Sequence, residues 1–154
     1  MILAVVSLRC FLALGDNLRL HFDDIRVLQP DPVLVPWVAD HPDMILASVG
    51  DKLIVPASYY GMNSAVLDPI TEATGLDIIT SNVPRGAKYP HDIPFNALIT
   101  DRHIFAKLSH IAPELLKIAG NTGLTPVGVN QGYAACSAVS VKNVIVTGDP
   151  SIKN

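Results

Sequence analysis

The chain has 154 residues, enough for one domain with a core and too few for two comfortable ones. It is 49% apolar and only 16% charged, where about a quarter is usual, and its mean hydropathy is +0.37. The net charge of −3 supplies no basic field, which argues against nucleic acid and anionic membrane as partners.

The apolar opening Met1-Ile2-Leu3-Ala4-Val5-Val6-Ser7-Leu8 has no basic segment, is interrupted by Arg9 and precedes no convincing small-residue cleavage site. It is expected to be a buried first strand rather than a leader. Cys10 to Phe22 then predicts a helix and Asp24 to Leu28 a strand. Between Gln29 and Trp37 three prolines, Pro30, Pro32 and Pro36, predict an extended connection, with Trp37 as its packing anchor. No run approaches the ~20 apolar residues of a membrane span. Cys10 and Cys136 lie far apart and form no CxxC pair, so neither a disulfide framework nor structural zinc is expected, and a reducing cytoplasm is the default.

Residues 44–58 place two apolar runs around Gly50-Asp51, a hairpin signal. A helix is expected from Asn63 or Ser64 to Gly75, shortened or bent by Pro69, followed by a strand over Leu76 to Thr80. The same order returns. Phe95 to Thr100 turns at Asp101-Arg102 into His103 to Leu108, a helix runs from Ala112 to Ala119, and Thr125 to Val129 closes the unit. Pro113 and Glu114 suit that helix's first turn. A third unit starts with Cys136 to Val141, turns at Lys142-Asn143 and continues through Val144 to Thr147. The turns recur roughly every 40–50 residues, the period of repeat architectures. The unit is β-β-α-β, and the chain reads as the tail of one unit, two whole units and the head of another.

Each hairpin is preceded by polar, chemically capable residues. These are His41-Pro42-Asp43-Met44, then Tyr89-Pro90-His91-Asp92-Ile93-Pro94-Phe95-Asn96, then Asn130-Gln131-Gly132-Tyr133-Ala134-Ala135-Cys136-Ser137. Residues at the same point of successive units can gather around one axis, and this predicts a shared Asp/His/Asn/Cys pocket. In this arrangement the chain resembles the pentein fold, the five-bladed α/β propeller of the guanidino-group-modifying, arginine-deiminase-like enzymes. The three blocks look like the signatures of an uncharacterised bacterial branch of that fold, known only as a domain of unknown function. The branch continues well past the position of Asp149. A single pentein-like domain over 1–154, with an incomplete set of about three of the five units and truncated on its C-terminal side, is therefore expected. Open strand edges would then invite self-association.

The resemblance implies cysteine-dependent hydrolysis or transfer at a guanidino or amidino carbon, with no cofactor and no metal. Cys136 would be the nucleophile, His41 the general acid/base, and Asp43 a carboxylate for the substrate's cation. Asp92 would hold the cation bidentately, Asn96 would bond the substrate's far end, and Gln131 with Gly132 would shape the wall. In the enzymes of this fold the His and Cys lie in adjacent units, whereas here a whole unit separates His41 from Cys136. Each residue also has a structural reading: a small residue at a strand start for Cys136, and turn or cap carboxylates for Asp43 and Asp92. His91, His103 and His110 lack metal-ligand spacing. A non-catalytic binding module and a fragment without activity of its own stand as alternatives, since fold does not fix function.

Overall fold

A computed structural model describes residues 2–142 and 144–152. β1 (Leu3–Ser7) leads directly into α1 (Leu8–Leu18), and β2 (Asp24–Leu28) returns parallel to β1. The helix starts two residues before the expected Cys10 because Ser7 caps it, its Oγ accepting from the Cys10 N–H at 3.1 Å. β1 is half-buried, with only Ala4 and Ser7 in the interior. The connection after β2 is folded rather than extended. Asp31 N–H donates to Ala39 C=O at 2.6 Å, and the Asp31 carboxylate accepts from Val33 N–H. Trp37 is 66% exposed, so it is no packing anchor; the loop closes through Asp31 instead.

Two full units follow. The first is the short helical turn α2 (Pro42–Ile45), then β3 (Ala47–Val49), β4 (Lys52–Pro56), α3 (Ala57–Thr74) and β5 (Asp77–Ser81). β3 and β4 are antiparallel, and β5 is parallel to β4. Residues 44 and 45, expected in the hairpin, belong to α2, where Pro42 sits in the first turn and fixes the helical entry. α3 begins well before Asn63. The backbone leaves helical geometry at Asn63 (φ −130°) and resumes, so the predicted cap marks a kink rather than a start. The second unit has β6 (Leu98–Ile99), β7 (His103–Ala106), α4 (Pro113–Asn121) and β8 (Thr125–Gly128) with the same pairings. β6 is shorter than expected because Asn96 is drawn into a turn, its N–H bonding Ile93 C=O. Finally α5 (Ala134–Ser137) precedes β9 (Ala138–Val141) and β10 (Val144–Thr147), an antiparallel pair. Cys136 thus sits on a helical turn, not at a strand start. Of the turn between β9 and β10, Lys142 has φ +53°, and Asn143 lies outside the described residues.

The architecture is mixed α/β, with four small sheets and five helices among the described residues. The units stack by one rule. In the first, Leu53 and Val55 of β4 face the unit's own helix at Tyr59, Leu67 and Ile70, and that helix also meets Leu3 and Val5 of the preceding sheet. The opposite face, Ala47, Val49 and Ile54, is covered by the next unit's Leu115 and Ala119 on α4 and by Ile104 and Ala106 of β7. Helices α3 and α4 are therefore each sandwiched between their own sheet and the sheet before it, which is why these strands are apolar on both sides. Gly50 adopts φ +60° in the β3–β4 turn, and a Cβ there would lie 2.9 Å from Thr122 Cγ2, just past the end of α4. The second sheet repeats the pattern with Leu98 and Phe105 against Ala138 and Ile145 of the last hairpin.

Candidate functional site

Placing the three hairpins in register by their turns aligns α2, residues 93–96 and α5. These three pre-hairpin turns meet. Asn96, 1% exposed, stands between them: its Nδ2 donates to the Asp43 carboxylate at 2.9 Å and lies 3.2 Å from both Met44 Sδ and Cys136 Sγ. Its Oδ1 accepts from the Ala135 N–H at 2.9 Å, which fixes the amide's orientation. The Cys136 thiol donates to Asp43 Oδ2 at 2.6 Å across 93 residues of sequence. One side chain from the middle unit thus bonds both flanking units, and a carboxylate and a thiol touch beside it.

The electrostatics are one-sided. Cys136 is exposed as a residue, yet partial desolvation of its thiol and then the adjacent Asp43 carboxylate push it up to about 12, so it carries its proton at neutral pH. Asp92 is buried, with Oδ2 accepting from Tyr133 O–H at 2.7 Å and Oδ1 without a hydrogen-bond partner. Burial, followed by that bond to Asp92, raises the Tyr133 phenol well above its usual range and keeps it a donor. Among the described residues neither Asp43 nor Asp92 has an ion pair. The thiol and the Asp43 carboxylate thus meet with no ion pair on that carboxylate among the described residues.

The other predicted residues are placed differently. His41 is the residue before α2, two positions from Asp43; its backbone C=O accepts from Met44 N–H, and its ring makes no hydrogen bond among the described residues. Gln131 braces its own loop, accepting from Tyr133 N–H and donating to Tyr133 C=O and Ser137 Oγ. Gly132 permits a close approach: a Cβ there would collide with Ile93 Cδ1 and lie 2.6 Å from Tyr89 Cε2. Tyr133 and Met44 were not singled out from the sequence. Their place in the same blocks as Cys136 and Asp43 was the available signal. A cleft of about 490 Å³ between the second sheet and the last hairpin shares no lining residue with this cluster. No three His, Cys, Asp or Glu side chains converge on a common point among the described residues, and none of their helices is long and apolar enough to cross a membrane.

The fold and cluster define an α/β domain of repeated ββαβ units whose pre-hairpin turns converge on Asn96. Residues 6–154 match a family of unknown function, DUF6873, and the chain belongs to that family. No curated protein and no solved structure matches it.

Proposed function

We propose that the ββαβ units form a propeller of the pentein type, and that the cluster at its hub acts on a guanidino or amidino carbon through Cys136. The observation that carries this reading is the contact of the Cys136 thiol with Asp43, a carboxylate with no ion pair among the described residues. An amidinium is planar, cationic and rich in N–H donors, so it suits paired carboxylate oxygens. It also resolves the obstacle of the high thiol pKa. A cation seated against Asp43 offsets the charge that holds the proton on sulfur, and the thiolate forms only when such a substrate is present. The thiolate then bonds to the amidino carbon and the amine leaves with a proton. Water next adds to that carbon, the C–S bond breaks, and sulfur regains its proton. His41, on the loop leading into α2, is the proposed acid/base.

The test is alkylation of Cys136 by two probes of equal intrinsic reactivity, one a neutral haloacetamide and one a cationic haloacetamidine. The cationic probe is expected to label faster by about tenfold or more, with Cys136→Ala abolishing the product and Asp43→Asn erasing the preference. Equal labelling by both probes in the unmodified chain sinks the reading. A second reading, a non-catalytic module, draws on the high thiol pKa itself: a protonated thiol bonded to Asp43 also serves as a pin between units. Under it, Cys136→Ser lowers stability while neither probe is preferred.

A further inference from the structure

The amide of Asn96 has more acceptors around it than hydrogens to give them. The residue is buried, its backbone N–H is fixed by Ile93 C=O at 2.9 Å and its Oδ1 by the Ala135 N–H at 2.9 Å. Nδ2 carries two hydrogens. It faces the Asp43 carboxylate at 2.9 Å, Cys136 Sγ and Met44 Sδ at 3.2 Å each, and Asp43 C=O at 3.3 Å. The carboxylate is the nearest and strongest of these acceptors and holds one hydrogen. The second is divided among two sulfurs and a carbonyl, and how it divides depends on the state of Cys136. A thiol and a thioether are both weak acceptors. A thiolate carries a full charge and takes a charge-assisted bond, so the contact from Nδ2 to sulfur strengthens once the thiol loses its proton.

We infer that Asn96 acts on the sulfur of Cys136 rather than on a substrate: its second amide hydrogen is a donor set for the thiolate, and Met44 Sδ is the acceptor that draws it away while the thiol is protonated. The inference rests on the reading of Cys136 as the nucleophile. Asn96 works against desolvation and Asp43, which both hold the proton on sulfur. Because the amide is neutral, it favours the thiolate without placing a permanent cation where a cationic substrate would be repelled. Met44 works in the opposite sense, and removing it leaves the amide hydrogen to Cys136.

The experiment follows alkylation of the full chain by neutral iodoacetamide at about pH 8, read at the Cys136 peptide by mass spectrometry so that Cys10 does not contribute. Asn96→Leu removes the donor at similar volume and is expected to slow labelling about threefold or more; a more basic thiolate is individually more nucleophilic, which limits the loss. Met44→Leu removes the competing sulfur in a volume-conserving change and is expected to speed labelling about twofold. Opposite signs are the signature, since a hub that merely loosens exposes the thiol in both variants and speeds both. Rates that move in the same direction, or in neither variant, overturn the inference. Circular dichroism checks the fold; where Asn96→Leu does not fold, Met44→Leu decides alone, and labelling no faster than in the parent chain overturns it. Only a neutral probe is used, so this result and the preference for a cationic probe can each fail while the other holds.

Discussion

Cys136 keeps its proton because its thiol is desolvated and Asp43 stands against it, and that has a measurable consequence for stability. The thiol's ordinary pKa of 9.0 rises to about 12 in the folded chain. In the unfolded chain it ionises near the ordinary value, so between those two limits the unfolded state holds fewer protons than the folded one. The contribution is therefore fully present below about pH 9 and is lost as the pH climbs through about 12. Urea denaturation of the parent chain should show stability falling across that window, and Cys136→Ser should fall less steeply in the same window, because serine has no proton to lose there. Parallel pH profiles for the two proteins would mean that Asp43 does not hold the thiol proton in solution. Tyr59 and Tyr60, which are also raised, contribute to both curves alike and cancel in the difference, whereas Tyr133 is raised in part by Cys136, so a share of its contribution changes with the substitution.

At the scale of the element, the loop before α5 decides where Tyr133 meets Asp92. Gly132 lies where any Cβ would press on Ile93, which is 2% exposed and packed in the first core cluster. Gly132→Ala is expected to cost about 1–3 kcal/mol, as overpacking does, and to release the Tyr133–Asp92 bond. Thermal denaturation reads the first effect. A Tyr133 phenol titrating nearer its usual range, followed by ultraviolet absorbance, reads the second. Much of this level was legible in the sequence, since hairpins and parallel returns follow from apolar runs punctuated by Gly50-Asp51, Asp101-Arg102 and Lys142-Asn143. What was not legible has a common cause. Residues 42–45 and 134–137 take helical turns too short for any periodicity to register, and α3 starts at Ala57 because Tyr59 reaches across the core to Gln29 C=O at 2.6 Å, a contact no local pattern carries.

Across the whole molecule, Asp43, Asn96 and Cys136 were legible as a group for one reason: each falls in the segment before a hairpin, and a repeat brings such segments together. The buried ion pair that braces the first unit had no such signal. Arg85 Nη1 and Asp31 Oδ2 are 2.6 Å apart, separated by 54 residues, and their side chains are 4% and 0% exposed. Arg85 also sits over the Phe95 ring at 5.8 Å, next to Asn96 in sequence, so this pair ties the connection after β2 to the segment that carries the hub amide. Removing one partner strands a buried charge, whereas removing both leaves an apolar gap. Arg85→Ala is therefore expected to cost about 3–5 kcal/mol, and Arg85→Met combined with Asp31→Asn much less than the sum of the single changes. A urea-denaturation double-mutant cycle measures the difference. Additive costs would mean that the two residues do not interact in solution, and that the connection after β2 is held by Asp31's own turn alone.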